Sequence, residues 1–481
     1  MPAAHRNLAT ALVGLRRLHE AVACYDRAIE LRPDFVQAHC GRAGVLVDLG
    51  RPREALDSCR RVLEMAPNSP DAYTFRGVAS IALNRPAEAA ASFDAALSLR
   101  PNDPVALNGR GIALLDLLRP NEAFEALSTA VAAAPGYAEA WSNHALALAE
   151  TGRHDEGVVS AERAISLAPE DARYRLNAAH ANLQLGRFER GWELYESRAR
   201  LSAEPPALST PGRPRWNGEP LAGKTLLIHS EQGLGDTMQF CRYARLAEVR
   251  GARVILSVQD RLGRLIRGGL STTIEVIGTT QAPGDFDFHI PLLSLPGLFG
   301  TRLESIPAVG SYLFAEPGRV EHWRTLLPQS GLRVGVCWEG GGSAIGRSFP
   351  VSELQAVATL EGVRLINLQK DALPGAAGAL PLTTLGGAFD VGSDAFIDTA
   401  AVMASVDLII TTDTSIAHLG GALGRPTWVM LKRNPDWRWL LERTDSPWYP
   451  SVRLFRQPRP GDWQGAFAQV RAAIQDFHFS K

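Results

Sequence analysis

The sequence predicts an α-helical repeat region followed by two α/β lobes, each built on a parallel sheet. Two observations predict this fold class. Prolines recur at a fixed interval over the first part of the chain, and the second part alternates short apolar strands with helical stretches. The length of 481 residues agrees with this division, because one core of ordinary size does not accommodate so long a chain.

Composition and charge narrow the class of protein. A hydrophobic content of 46% with 21% charged residues is typical of a soluble globular chain. The formal net charge of -1 predicts no overall attraction to nucleic acid or to an anionic membrane. The start, MPAAHRNLAT, lacks the apolar core of a signal peptide, and no apolar run is long enough to span a bilayer. We therefore expect a cytoplasmic protein without an integral membrane segment, whose five cysteines are reduced thiols.

The repeat region covers residues 1–202. Proline suits the start of a helix and not its interior, so each unit is predicted as two helices joined by a short turn, as at Gly50, Gly152 and Gly186. The prolines, 34 residues apart, are Pro33, Pro67, Pro101, Pro135 and Pro169. Small residues follow the same step at Ala43, Gly77, Gly111, Ala145 and Ala179. This pattern resembles the tetratricopeptide repeat (TPR), and implies a solenoid of about six 34-residue units, the first incomplete.

A solenoid of this kind has a concave groove, which predicts a protein or peptide partner. Asn7, Asn143 and Asn177 share one repeat position. They resemble the asparagine ladder of the nucleocytoplasmic O-linked N-acetylglucosamine transferases, which implies that they hold a peptide backbone in the groove. The alternative is that they bond neighbouring turns of the solenoid. The chain begins within a unit, so either the exposed first helix pairs with another copy, giving a homo-oligomer, or residues are missing.

A linker is predicted at residues 203–223, where the period stops and prolines and glycines accumulate. The strands that follow form two groups, which predict a first lobe at 224–320 and a second lobe at 331–481. A connecting helix is predicted between Gly310 and Gly331. The predicted strands are 225–230, 253–258, 286–290, 333–338, 364–369, 407–413 and 427–431. Ligands of such sheets bind beyond the carboxyl ends of the strands.

The first candidate motif, GLGD at 233–236, follows the first of these strands. Gly233 and Gly235 permit a tight turn and a close approach to an acceptor or ligand. Asp236 is the candidate general base for an acceptor hydroxyl, and the alternative is an ordinary carboxylate at a helix N-terminus. Two glycines without an acidic residue closing the second strand disfavour a dinucleotide-binding dehydrogenase.

Two further groups follow strands of the second lobe. The run Glu339–Ser343 is rich in glycine, and Gly340 with Arg347 suits a diphosphate leaving group. A solvated surface loop is the alternative. Gln369 and Lys370 stand where a base edge or a phosphate could be bound, and ordinary surface residues are the alternative.

The most specific stretch is DTSIAH at 413–418, directly after an apolar strand. Asp413 and Thr414 are predicted to cap a helix, and His418 lies four residues after Thr414 and thus on the same face. The exposed amides of such a helix end attract a diphosphate. These residues are therefore predicted to contact a nucleotide ligand.

The motifs GLGD and DTSIAHLGGALGRPT together resemble the heptosyltransferase-like glycosyltransferases, whose two-lobed fold is the GT-B type. The resemblance implies that Asp236 is the base, and that Asp413, Thr414 and His418 contact a nucleotide sugar, with Ser415 joining through its backbone. This family uses a cation after the first strand of the second lobe, and Arg347 is the residue that matches it. The arrangement of repeats followed by such a domain resembles that of a group of bacterial proteins.

The sequence thus predicts an inverting, metal-independent glycosyltransferase that uses a nucleotide-diphosphate sugar as donor and needs no cofactor. Two alternatives stay open: a non-catalytic TPR scaffold with a degenerate GT-B domain, and a transferase that acts on lipid or polysaccharide. Asp398 is predicted to be a helix N-cap, and four aromatic residues near the C-terminus are predicted to serve packing: Trp437, Trp439, Trp448 and Tyr449.

Overall fold

The computed structural model describes residues 1–201, 213–308, 310–341, 346–370, 380–392 and 395–479. The chain divides into two compact units, Met1–Ala178 and Ala179–Lys481. The division lies before the predicted end of the repeat region at residue 202. One reason is that Trp192, in the last helix of the repeats, donates from Nε1 to the Thr301 carbonyl at 2.9 Å, a contact inside the second unit.

The repeat region is a series of six helix pairs, as its period predicts. The turns between pairs contain the recurring prolines, and Gly50 and Gly152 lie in turns within a pair at positive φ. The twelve helices are α1 (Pro2–Gly14), α2 (Leu18–Leu31), α3 (Val36–Asp48), α4 (Pro52–Met65), α5 (Pro70–Ala82), α6 (Pro86–Leu99), α7 (Pro104–Asp116), α8 (Pro120–Ala133), α9 (Ala138–Glu150), α10 (His154–Leu167), α11 (Ala172–Gln184) and α12 (Phe188–Tyr195).

Close packing explains the small residues at fixed repeat positions. A Cβ on Gly77 would lie 2.6 Å from the Phe93 ring, so the two helices of that pair approach too closely for a larger residue. The second helices of the pairs share a salt bridge at their start. An arginine at the helix start pairs with a glutamate three residues later, as in Arg17–Glu20, Arg51–Glu54, Arg85–Glu88, Arg119–Glu122 and Arg153–Glu156.

The first lobe contains a four-stranded parallel sheet in the order β3-β2-β1-β4. Its strands are β1 (Thr225–His229), β2 (Arg253–Val258), β3 (Glu275–Gly278) and β4 (Phe288–Pro291). Its helices are α13 (Leu234–Phe240), α14 (Tyr243–Val249), α15 (Asp260–Gly269) and α16 (Leu295–Leu298), and α17 (Pro317–Leu326) leads to the second lobe. The connecting helix predicted between Gly310 and Gly331 is α17.

The prediction of a linker at 203–223 is wrong for its described part, residues 213–223, which is packed against the first lobe. Trp216 is buried and its backbone N–H donates to the His289 carbonyl at 2.9 Å, while Leu221 is also buried. Arg215 forms a parallel bridge with His289, so this segment packs along the edge strand β4. Its proline and glycine content suggested a free linker because composition does not reveal two buried apolar side chains. Residues 203–212 lie outside the described residues.

The second lobe contains a six-stranded parallel sheet in the order β10-β9-β8-β5-β6-β7. Its strands are β5 (Leu332–Cys337), β6 (Val363–Asn367), β7 (Leu382–Thr383), β8 (Leu408–Thr412), β9 (Thr427–Leu431) and β10 (Val452–Arg456). Its helices are α18 (Gln355–Ala358), α19 (Ile397–Ser405), α20 (Ser415–Ala422) and α21 (Trp463–Phe479). Three strands, β3, β7 and β10, were not predicted from the sequence. A hydrophobic core of this lobe lies between the sheet and α21.

Candidate functional site

The two most specific sequence motifs meet in the structure. Helix α13, which carries the GLGD turn of the first lobe, packs against α20, which carries the DTSIAH motif of the second. A Cβ on Gly235 would lie 2.8 Å from His418 Cδ2 and 3.4 Å from Ser415 Cα. A larger residue here would have to displace the buried His418 ring. The predicted close approach at Gly235 is thus an approach to α20.

Asp236 lies in the first turn of α13 and uses both carboxylate oxygens. Oδ2 accepts from the Gly233 backbone N–H at 2.9 Å, which caps the helix as the alternative interpretation expected. Oδ1 accepts from Arg438 Nη2 at 2.5 Å. The Asp236 side chain is 19% exposed, so it is accessible from one side while it is held in place.

Arg438 is the main residue that the sequence analysis missed. It follows β9 in the second lobe, it is buried, and besides Asp236 it donates to Asp436 Oδ1 at 2.9 Å and to Gln239 Oε1 at 2.9 Å. Burial disfavours its charge, but the Asp436 and Asp236 carboxylates outweigh that effect and raise the pKa of Arg438. A permanent cation therefore stands at the meeting point of the two motifs.

A signal for Arg438 was present in the sequence. The segment PDWRW follows the buried strand β9, and the rule that ligands bind beyond the carboxyl ends of parallel strands applies to it as much as to Asp413. The aromatic residues of this block drew the interpretation toward packing. That part was correct, because Trp437, Trp439, Trp448 and Tyr449 are all buried.

The start of α20 is built as its sequence predicts. Thr414 is the N-cap and its hydroxyl accepts from the Ile416 N–H at 3.2 Å, while Ser415 is the first helical residue. Burial and the neighbouring Asp436 carboxylate raise the pKa of Asp413 to about 6, although Arg438 and Arg347 oppose them. Asp413 is therefore a carboxyl group whose charge is costly in this site.

His418 lies inside the site rather than at its surface. It is 6% exposed, its ring stacks on Trp439 with centroids 5.4 Å apart, and Nδ1 lies 3.0 Å from the Tyr449 hydroxyl. Burial, followed by the Arg438 charge, lowers its pKa to about 3. The imidazole is thus neutral at physiological pH, and it supports the contact between α13 and α20.

The glycine-rich loop after β5 brings Gly340 and Arg347 next to this site. A Cβ on Gly340 would lie 2.9 Å from Arg347 Nη2 and 2.9 Å from Thr414 Cγ2. Arg347 also donates to the Gly341 carbonyl, and its own carbonyl accepts from the Thr412 hydroxyl. The structure therefore brings Arg347 to the start of α20. Gly342 and Ser343 of the predicted loop lie outside the described residues.

Gln369 and Lys370 have structural partners. Gln369 Oε1 accepts from the backbone N–H groups of Trp338 at 3.2 Å and Glu339 at 2.9 Å, so it fixes the loop after β5. Lys370 Nζ donates to the Asp390 carbonyl at 2.9 Å. These hydrogen bonds stabilise the loops beside the site. That Gln369 and Lys370 contact a ligand stays a prediction.

The asparagines of the repeat region form hydrogen bonds between repeats. Asn143 Nδ2 donates to Asn108 Oδ1 at 2.9 Å, and Asn177 Nδ2 donates to the Ser142 hydroxyl at 2.9 Å. Asn7, in the first helix, is exposed. The bonds of Asn143 and Asn177 are those of the alternative interpretation, in which such side chains join neighbouring turns.

The prediction for Asp398 is also wrong. It was predicted to be an N-cap, but Phe396 holds that position and Asp398 lies in the first turn of α19. Its carboxylate accepts from Trp323 Nε1 at 2.8 Å, which ties α17 to α19. Among the residues that the structure describes, no group of three or more His, Cys, Asp or Glu side chains could hold a metal ion.

A family model described as tetratricopeptide repeat matches residues 6–70, 42–104 and 108–165. The chain contains tetratricopeptide repeats. Protein FlbA of Caulobacter vibrioides is 32% identical over 316 residues, which covers 60% of this chain and 52% of that protein. This chain thus spans about half the length of that relative.

Solved structures of repeat proteins are also similar to this chain. A thermophilic TPR protein of Thermus thermophilus, TTC0263, is 23% identical with a TM-score of 0.34, over 38% of this chain and 100% of that one. YrrB, described as a TPR protein with an unusual peptide-binding site, is 25% identical with a TM-score of 0.31, over 37% of this chain and 90% of that one. None of the described helices combines the length and the hydropathy that a bilayer-spanning helix requires.

Proposed function

We propose that the second unit is a GT-B-type glycosyltransferase, which moves a sugar from a nucleotide-diphosphate sugar to an acceptor hydroxyl, and that the repeats recruit a protein partner or acceptor. The observation that carries this proposal is the contact of Gly235 with His418 and Ser415, because it joins the two motifs on which the sequence resemblance rests. Both motifs follow parallel strands at their carboxyl ends, where sheets of this kind bind ligands.

The donor side of the proposed site is the start of α20. The first N–H groups of a helix attract anions, and Thr414 occupies the N-cap while Arg347 adds a cation beside it. The backbone at Gly340 packs against both side chains, because a Cβ there would lie 2.9 Å from Arg347 Nη2 and 2.9 Å from Thr414 Cγ2. In this proposal the diphosphate lies across these groups, which stabilise the negative charge that develops as it leaves.

The acceptor side is Asp236. The acceptor oxygen attacks the anomeric carbon, a new carbon–oxygen bond forms, and the bond from that carbon to the diphosphate oxygen breaks with its electron pair staying on the diphosphate. Asp236 takes the hydroxyl proton as general base. A single displacement of this kind inverts the configuration at the anomeric carbon. Arg438 holds the carboxylate in position through Oδ1.

A second candidate function is binding of a nucleotide sugar without turnover. The observation that favours it is the engagement of both Asp236 oxygens, by the Gly233 N–H and by Arg438. An oxygen that already accepts a hydrogen bond is less available to an acceptor hydroxyl than a free one. The two candidates differ in whether Asp236 is needed for a reaction or only for the contact between the lobes.

The test is release of nucleotide diphosphate from a panel of UDP-, GDP- and ADP-sugars by the full chain, with and without added cell protein as acceptor. The transferase predicts turnover of one donor, with at least a hundredfold loss in Asp236→Asn. Glu361→Gln, an exposed carboxylate of the second lobe, is the matched control and should keep full activity. Donor binding without release, equal in wild type and Asp236→Asn, would favour the non-catalytic candidate.

A further inference from the structure

The first helices of four successive repeats, α3, α5, α7 and α9, direct their basic side chains toward the second helices. Arg42, Arg76 and Arg110 share one repeat position. Their hydrogen bonds run to second-helix residues, namely Asp26 at 2.6 Å, Ser92 at 2.9 Å and Asp94 at 2.6 Å, respectively. His144, at the same position in α9, lies 3.0 Å from Ser160 of the second helix α10. The three arginine cations of these helices therefore bond within the solenoid, and burial lowers the pKa of His144, which disfavours its charged form.

The carboxylates of the same helices stand at two other repeat positions. Asp48, Asp116 and Glu150 are the last residues of α3, α7 and α9, and Asp71 and Glu139 are the second residues of α5 and α9. No Lys or Arg occurs at either position in these four helices. Arg100 pairs with Asp71 at 3.0 Å, and Asn108 donates to Glu139 at 3.3 Å. Within the described residues, no cation pairs with Asp48 or Asp116.

Apolar side chains lie between the two sets of acids. Val78, Ile112 and Leu146 share one repeat position, and Leu146 is 40% exposed while the other two are half-buried. On a helix, residues four or seven apart lie on one face. Glu139, Leu146 and Glu150 have these spacings, and so do Ile112 and Asp116. One face of the first helices, here called the acidic-apolar face, therefore carries an apolar row between two rows of carboxylates.

We propose that the acidic-apolar face binds a segment of a partner protein in which apolar side chains alternate with Lys or Arg side chains. This proposal rests on the proposed function only in that it describes the partner that the repeats recruit. Charge complementarity carries it. No cation pairs with Asp48 or Asp116 in the described part of the chain, while the arginines of the same helices bond to second helices. Burial raises the pKa of Asp116, so this carboxylate gains from a cation that reaches it.

The strength expected of such a face is moderate. Each exposed ion pair contributes little, and salt screens it, so the apolar row must supply most of the free energy of binding. The carboxylates then select between partners of opposite charge. A segment with acidic side chains around the same apolar core is disfavoured by repulsion from Asp48 and Asp116.

The test measures binding of fluorescein-labelled peptides to the full chain by fluorescence anisotropy. Three short synthetic peptides are compared: Leu alternating with Lys, Leu alternating with Glu, and Ser alternating with Lys. We expect saturable binding of the Leu/Lys peptide alone. The double variant Asp48→Asn/Asp116→Asn should weaken it about tenfold. The control Asp57→Asn/Glu125→Gln removes the same charge from the second helices α4 and α8 and should bind as wild type does.

The proposal is overturned if the Leu/Lys peptide shows no saturable binding at millimolar concentration, if the Leu/Glu peptide binds as tightly, or if both double variants lose affinity equally. Stabilisation of the same protein samples by nucleotide sugars is measured separately, so failure of the peptide test and failure of the proposed function can be told apart. Asparagine keeps the shape of aspartate, and circular dichroism of the variants checks that the repeats are folded.

Discussion

Arg438 Nη2 lies 2.5 Å from Asp236 Oδ1, and this ion pair joins the segment after β9 of the second lobe to the first turn of α13 in the first lobe. Both side chains are largely buried, and Arg438 is bound in addition by Asp436. A charge in such a place is stable only while its partners are present. The pair therefore couples the packing of the two lobes to the position of the proposed base.

Removal of Arg438 is expected to destabilise the second unit strongly. Arg438→Met leaves Asp236, which is 19% exposed, and Asp436, which is 36% exposed, without their cation. Because solvent screens Asp436, we expect the free energy of unfolding to fall by about 3 kcal/mol, the lower end of the range for a broken buried pair. Asp236→Asn should cost less, about 1–2 kcal/mol, because the amide still accepts a hydrogen bond. Urea unfolding followed by tryptophan fluorescence measures both, since Trp437 is adjacent to Arg438 and contacts it.

The double variant should be more stable than the sum of the two single effects implies, by about 1–3 kcal/mol, because the pair is lost only once. Arg443→Met is the matched control. Its partner Asp445 is exposed, so that variant should change the unfolding free energy by at most about 1 kcal/mol. Strict additivity of the two site variants would show that the ion pair does not couple the lobes.

Gly235→Val should loosen the contact between α13 and α20. The new side chain would begin 2.8 Å from His418 Cδ2, and overpacking of this kind costs about 1–3 kcal/mol. Gly263→Ala in α15 is the control, because a Cβ there meets no atom closer than 3.9 Å and alanine favours the helix. Thermal unfolding compares the two. An unchanged melting temperature for Gly235→Val would contradict the close approach.

His418 should make the second unit less stable in acid. Its pKa is about 3 in the folded chain, lowered by burial, then by Arg438, Arg242 and Arg347 and opposed by Asp436, whereas an unfolded histidine titrates near 6.5. The stability that it contributes is thus complete above about pH 6.5 and is lost as the pH falls toward 3.

His418→Gln should therefore reduce the slope of unfolding free energy against pH, by up to about 1.4 kcal/mol per pH unit in that range. The measurement is urea unfolding at several pH values. His322→Gln, which changes an exposed histidine of α17, is the control and should retain the wild-type slope. Equal slopes in all three proteins would place His418 outside the buried site.

Asp413 should act in the opposite direction. Its pKa is raised to about 6, so it favours the folded state below the unfolded value near 3.9, and that contribution is lost as the pH rises through 6. Asp413→Asn is expected to raise the unfolding free energy at pH 7–8 by about 1 kcal/mol or more. A fall in stability at that pH would contradict the account of a desolvated carboxylate beside Asp436.

The sequence was sufficient where one local rule decides the structure. The period of 34 residues determines the helix pairs, and long apolar runs such as 253–258 and 427–431 are the strands β2 and β9. The strands β3 and β10 were missed because one is short and the other lies in a block rich in aromatics. The segment 213–223 was misread because burial of Trp216 depends on the distant strand β4.

The sequence predicted single features of the candidate site, but not the contacts between them. Thr414 as an N-cap follows from residue type and position alone. The contact between Gly235 and His418 and the bond from Arg438 to Asp236 join residues far apart in sequence, so local patterns carry no information about them. Local patterns also do not reveal the hydrogen bonds of Gln369, because its partners Trp338 and Glu339 lie in the loop after β5.

The most direct test of the proposed donor site is equilibrium binding of the nucleotide-sugar panel to the wild-type chain, read as a rise in melting temperature and confirmed by calorimetry. The account predicts that one donor stabilises the wild type and the Glu361→Gln control, and that Asp413→Ala and Thr414→Val each weaken this binding at least tenfold. No stabilisation by any donor, or equal stabilisation of all four proteins, would contradict a nucleotide-sugar site at the start of α20.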